Sequence, residues 1–242
     1  MASRFFIETG AGGFSSRDGT VEFYQRVNAL LSDDYEILDL GAGRGGWYFD
    51  DANTYRRELR LIRGKVARVV GCDVDEAIRA NLSIDEAYLI KPGERLPFDD
   101  ASFDLIVADY VLEHIQSPSE FASEILRLLK AGGWFCARTP NKYGYTAIAA
   151  RTIPNKLHTC VLKAVQPERK EIDVFPTTFR LNCFSALNKS FPPHEFENFS
   201  YRYEVEPAYH FNNRIVFLFC LFLNWLVPPT MKSTLMIFLR KR

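Results

Sequence analysis

Short apolar runs alternate along this chain with stretches in which apolar residues recur at helical spacing. Ile37, Leu38 and Leu40 form the first run, and the segments 66–73, 89–90, 103–110 and 134–139 supply four more. Runs this short and this apolar suit strands buried on both faces of a parallel sheet. Ahead of the first run, Val21, Tyr24, Val27 and Leu31 mark a helix over 20–31. The spacing predicts further helices over 47–62, ended by Gly64, over 75–83, and over 119–131, capped by Gly132 and Gly133. Two more strands follow, over 199–205 and 234–240. Strands alternating with helices predict an α/β, Rossmann-like doubly wound sheet.

The most informative chemistry sits at the end of the first strand. Asp39-Leu-Gly41-Ala-Gly43-Arg-Gly45-Gly46 turns the backbone sharply and leaves it bare of β-carbons, so a ligand can approach the main chain. A helix opening just after it aims free amides at the same place. The loop fits two patterns. Gly41-x-Gly43-x-x-Gly46 matches the dinucleotide fingerprint, whereas Asp39-x-Gly41-x-Gly43-x-Gly45 resembles the glycine loop of class I S-adenosylmethionine methyltransferases. Asp73, at the end of the second strand, is a carboxylate able to accept both hydroxyls of a ribose. It lies 27 residues beyond Gly46, further than the roughly 20 of a compact NAD unit.

Residues 96–115, Leu-Pro-Phe-Asp-Asp-Ala-Ser-Phe-Asp-Leu-Ile-Val-Ala-Asp-Tyr-Val-Leu-Glu-His-Ile, and residues 126–140, Leu-Arg-Leu-Leu-Lys-Ala-Gly-Gly-Trp-Phe-Cys-Ala-Arg-Thr-Pro, settle the context. With the glycine loop and Asp73 they make four segments, in order over 35–140, that resemble the class I S-adenosylmethionine (SAM) methyltransferases of the type 11 group. That resemblance implies seven strands in the order 3-2-1-4-5-7-6 and SAM as cofactor. Asp39 and Gly41 then face the methionine end, Gly43 and Gly45 shape the loop, and Asp73 takes the ribose. Asp109 and Tyr110 stand beside the sulfur, and His114 follows as a candidate base with Asp109. The chain departs from the family before Leu96, where Lys91-Pro-Gly-Glu94 leaves Glu94 as the substitute contact to the adenine edge.

The chain reads as one domain: an N-terminal lid over 1–34, a SAM-binding core over 35–140, a substrate cap over 141–197, and C-terminal strands with an apolar helix over 198–242. Tyr24 and Phe14 of the lid are candidates to cover the cofactor. Arg138, Asn141, Tyr143 and Tyr145 leave the fifth strand toward the same cleft. His158 and Arg180 belong to the cap.

Thirty basic and thirty acidic residues cancel, which argues against a nucleic-acid partner. Five scattered cysteines have no metal-ligand spacing, and no leader-like apolar run opens the chain, so a reducing cytoplasm is the expected setting. The 215–227 run is apolar nearly all round and too short to span a bilayer. It reads either as a helix buried against the sheet or as a peripheral membrane contact, with Arg214, Lys232 and the 240–242 tail facing anionic lipid. The expected reaction is methyl transfer to a small-molecule or lipid-linked acceptor, preferably an oxygen of a sugar or glycolipid. A quinone or polyketide acceptor, and a SAM-binding subunit without catalysis, are the alternatives.

Overall fold

A computed structural model describes residues 5–145, 147–148, 177–207 and 213–242. The sheet is built from β1 (Glu36–Leu40), β2 (Arg68–Asp73), β3 (Glu86–Leu89), β4 (Phe103–Asp109), β5 (Leu129–Pro140), β6 (Phe196–Asn198), β7 (Tyr201–Tyr203) and β8 (Thr234–Lys241). Its order is β3-β2-β1-β4-β5-β8-β6, with β7 also paired to β8. The first five strands are parallel, and β8 inserts antiparallel between β5 and the β6/β7 pair. This is the predicted order. In place of the one strand expected over 199–205, two short strands stand on either side of Phe199 and Ser200, so that eight strands replace seven: the Phe199 amide bonds Phe238 O and the Ser200 hydroxyl accepts from the Phe238 amide.

Period-two alternation divides the core between the two faces of the sheet. Leu38, Leu40, Ile106, Ala108, Phe135 and Ala137 point to one face, covered by α4 (Pro118–Leu128) and α5 (Phe184–Ser190). Ile37, Leu105, Val107 and Cys136 point to the other, covered by α1 (Gly19–Ala29) and Ile62. Two helices differ from expectation. Residues 47–62 form not one helix but α2 (Trp47–Asp50) and α3 (Thr54–Arg60). Asn53 breaks the run by capping the Arg56 amide at 2.9 Å, while Asp51 grips the Arg56 guanidinium. Side chains that bond nearby backbone compete with a continuing helix in this way. The expected helix over 75–83 is a single 3₁₀ turn, Glu76–Ala80.

Gly132 and Gly133 do not cap α4, which ends at Leu128 and runs straight into β5. They lie within β5, where a β-carbon on Gly133 would meet Asp104 O at 2.9 Å. The latter part of the expected cap is core: Leu181, Leu187, Phe191 and Phe196 are buried with α4 and β8. Residues 149–176, with His158, lie outside the described residues, as does His210.

The apolar run forms α6 (Arg214–Leu226), and it is not buried against the sheet. Only Phe217 is buried, held by Phe5 with ring centroids 4.9 Å apart. The basic tail does not flank this helix. It ends β8, whose first residue, Thr234, pairs with Pro140, whereas Arg240 pairs with Trp134 at the other end of the strand. No described helix is long and apolar enough to cross a membrane.

Candidate cofactor and active site

The strand alternation that builds the core also builds the site. Asp39, Asp109 and Arg138 share a parity with Ile37, Val107 and Cys136, so at the carboxyl ends of β1, β4 and β5 they point toward α1. Asp109 and Arg138 are direct neighbours in register. Their pairing is bidentate, with Arg138 Nε and Nη2 each 2.7 Å from the carboxylate. Both side chains are almost fully buried. From α3, Arg60 reaches the same carboxylate at 3.3 Å, and from α1 the Tyr24 hydroxyl donates to it at 3.2 Å. Burial alone would raise the Asp109 carboxyl. Arg138 and Arg60 outweigh that and hold it below the usual carboxylate range. Asp109 is thus an ion-pair anchor whose lone pairs are already engaged.

Tyr24, Asp39, Gly41, Trp47, Arg60 and Asp109 surround a pocket beneath the glycine loop. The Arg60 guanidinium lies between two rings, 4.8 Å from the Trp47 centroid and 5.6 Å from that of Tyr24. Its Nε is buried with no hydrogen-bond partner. Asp39 opens into the same pocket. Its burial pushes the carboxyl up to about 7, against the pull of Arg60 and with the help of Asp109 and Asp73. An unanswered guanidinium donor and a carboxylate short of a cation, in one pocket, are the complement of an α-amino acid zwitterion. The methionine end of SAM has that chemistry, and these residues fit it.

The loop above is tied down by its own neighbours. Gly41 and Gly45 have φ of +74° and +63°, and an added β-carbon would strike Val111 at 2.5 Å or Asn81 at 2.2 Å. Gly43 differs: beside it only Asp73 Oδ2 comes within 4 Å. The sequence assigned the bare loop to ligand approach. The missing β-carbons of Gly41 and Gly45 also serve close packing, Gly41 at the same time lining the pocket, and Gly43 keeps open the space beside Asp73. The Asp73 carboxylate accepts the Gly43 amide at 2.9 Å and the Asp75 amide at 2.8 Å, which fixes it at the mouth of the loop. Each oxygen retains a lone pair for a ribose hydroxyl.

Other expected residues are dispersed. Glu94 stands on an exposed turn, paired with Lys91 at 3.7 Å, and does not line the pocket. Tyr110 has φ of +60° and lays its ring over Arg138, 4.7 Å from the guanidinium carbon. Phe14 stacks on Tyr55. His114 is half-buried in the 3₁₀ turn Leu112–His114 after β4, and its neighbour Glu113 faces the opposite side of the sheet. There the Thr139 hydroxyl donates to Glu113 at 2.8 Å and Asn182 donates to Thr139 at 2.7 Å. Burial raises the Glu113 carboxyl, with the Thr139 hydroxyl and His114 opposing. Arg180 donates to Gln116 O at 2.7 Å, anchoring the described end of the cap to this turn. Asn141 is buried, and its amide holds the carbonyls of Thr230 and Lys232 at 3.0 and 2.8 Å. Tyr143 is exposed under Lys142.

Arg60, Trp47 and Asn81 escaped the sequence reading. Asn81 donates to the Ala42 and Gly43 carbonyls, each at 3.1 Å, and so clamps the loop from below. Nothing in its neighbourhood marks it. Arg60 had one signal, a basic residue one helical turn from Arg56 and Arg57 in the element after the loop.

Comparison with known families matches residues 38–137 to the Methyltransferase domain family. A protein of Mycolicibacterium smegmatis named as a probable S-adenosylmethionine-dependent methyltransferase is 34% identical over 135 residues, covering 54% of this chain and 48% of that protein. A sterol 4-C-methyltransferase of Caenorhabditis elegans is 30% identical over 107 residues, covering 43% of this chain and 31% of its own length. The chain thus spans about half or less of these curated relatives. Among solved structures, a SAM-dependent methyltransferase from Archaeoglobus fulgidus superposes with a TM-score of 0.55 at 15% identity, covering 99% of each chain, which shows a shared fold. With the family's strand order, the glycine loop and these matches, residues 38–137 are a class I S-adenosylmethionine-dependent methyltransferase domain, and S-adenosylmethionine is its cofactor.

Proposed function

We propose that this protein is an enzyme that transfers the methyl group of SAM to a small-molecule or lipid-linked acceptor, with an oxygen of a sugar or glycolipid as the nucleophile. The observation that carries the transfer reading is the pocket in which Arg60 and Asp39 offer opposite charges below the glycine loop. In this reading Arg60 holds the carboxylate of the methionine end, Asp39 its ammonium and Asp73 the ribose hydroxyls. Gly41, Gly43 and Gly45 keep the loop in place, Asp109 fixes Arg60 and Tyr24, and Tyr110 borders the reacting end. Glu94, on its exposed turn, is assigned the rim of the adenine site. SAM supplies an activated methyl on a sulfonium, so the chain has chiefly to position the acceptor and exclude water. His114 is the group assigned to take the acceptor's proton, since the Asp109 carboxylate is occupied by two arginines.

A second reading, methylation of a quinone, is favoured by relatives named demethylmenaquinone methyltransferase, one of them from Lactococcus lactis at 31% identity over 108 residues. Incubation with methyl-labelled SAM and separated lipid and aqueous extracts of the source cells distinguishes the readings. Label on an alkali-stable ether of a sugar supports the first, and label on a quinone ring supports the second. Label in neither extract, from protein that binds SAM, contradicts both.

A further inference from the structure

The exposed apolar residues of α6 fall on a single face, with Arg214 at its edge. Ile215, Leu218, Phe219, Phe222, Leu223, Trp225 and Leu226 are all exposed, from 41% at Leu223 to 78% at Ile215. At 100° per residue they occupy one arc of about 160°, while the buried Phe217 and the half-buried Asn224 lie opposite. The helix is properly begun, since the Asn213 side chain accepts from the Ile215 and Val216 amides. These side chains offer on the order of 800 Å² of apolar surface, more than the ~300–600 Å² of the largest patch on an ordinary monomer.

Three observations identify what covers this face. It carries no charged side chain and no polar side chain to satisfy, whereas protein interfaces are rimmed by polar groups and hydrogen-bonded. The charge that the segment itself brings has one sign: Arg214 opens the helix, Lys232 follows it, and no Asp or Glu occurs between Pro207 and Arg242, while Glu204, from the turn after β7, is the carboxylate that Lys232 meets. The helix also ends at the carboxyl edge of the parallel strands. Asn141, at the exit of β5, holds the Thr230 and Lys232 carbonyls, which places the turn after α6 where the parallel strands open toward the cofactor. A second copy of the chain on this face would crowd that entrance, while a bilayer there would deliver the acceptor.

We propose that α6 lies in the plane of an anionic membrane surface, its apolar face among the acyl chains, and opens the cleft to an acceptor held in that bilayer. The acceptor half of this statement rests on the methyl-transfer reading; the docking half does not. Flotation separates them. Protein without SAM is mixed at low ionic strength with vesicles of phosphatidylcholine, or of equal parts phosphatidylcholine and phosphatidylglycerol. Wild type floats with the anionic vesicles, and the Phe219→Ser/Phe222→Ser/Trp225→Ser variant remains at the bottom. Arg214→Gln and Lys232→Gln each reduce anionic binding about fivefold. The exposed positions of the triple variant leave SAM affinity unchanged, and calorimetry on the same samples checks that. Wild type that stays at the bottom with both vesicles, or a triple variant that floats equally, overturns the proposal. So does a wild-type dimer that the triple substitution splits while no vesicle binding is found. If wild type floats but binds no SAM, the methyl-transfer reading falls and the docking surface stands.

Discussion

Asp39 should bind the cofactor at the expense of the fold. In the unfolded chain an aspartate titrates near ~3.9, whereas in the pocket Asp39 keeps its proton up to about 7. Below pH ~4 the group is protonated in both states and contributes nothing. Between pH ~4 and 7 the folded state binds more protons than the unfolded one, so stability falls as pH rises, and above 7 the whole penalty is present. At ~1.4 kcal/mol per pH unit the ceiling is about 4 kcal/mol, and water reaching a half-buried carboxylate brings it down toward ~1–2 kcal/mol. Asp39→Asn keeps the shape and removes the charge. It should therefore raise the Tm of cofactor-free protein at pH 8, by roughly 2–4 °C for each kcal/mol in a chain of this size, and the gain should fade toward pH 4. The same change removes a charge-assisted bond to the ammonium and should weaken SAM binding by about 10- to 100-fold. Wild-type affinity should fall about tenfold per unit below pH 7, and that of the variant should not. Differential scanning calorimetry and titration calorimetry from pH 5 to 8 read both effects. A Tm difference that does not change with pH, or a variant that binds SAM like wild type, refutes the reasoning.

Arg60→Met removes the unpaired guanidinium donor, and titration calorimetry should show SAM affinity at least about tenfold weaker. Arg138→Met strips a buried carboxylate of its bidentate partner and should destabilise the protein by ~3–5 kcal/mol in urea unfolding; adding Asp109→Asn should recover part of that loss. Gly45→Ala forces a β-carbon into Asn81 at φ +63°, and the resulting shift of the loop should lower both the Tm and SAM affinity.

The sequence carried the parallel strands and the acidic strand ends because both are local. A strand that reads Phe103-Asp-Leu-Ile-Val-Ala-Asp109 states its own two faces, and the same alternation puts Arg138 beside Asp109 once the strands are paired. What it could not carry were partners joined only by folding. Arg60 enters the site from a helix whose break depends on the Asn53 cap, and Asn81 clamps loop carbonyls 38 and 39 residues before it. The glycines illustrate the same limit. Their positions show that β-carbons are excluded, and only the packed structure shows that Val111 and Asn81 do the excluding at two of them. Residues 215–227 have the composition of a core helix, and composition does not say whether a neighbouring surface exists to bury it. The described fold leaves that face open.

The adenosyl site is tested most directly by titrating SAM into wild type and Asp73→Asn under identical conditions, with NAD as a control. Saturable one-to-one binding by wild type, about tenfold or more weaker in the variant, and no heat from NAD are the expected results. Wild type that never saturates with SAM, or an Asp73→Asn protein of undiminished affinity, would contradict the account.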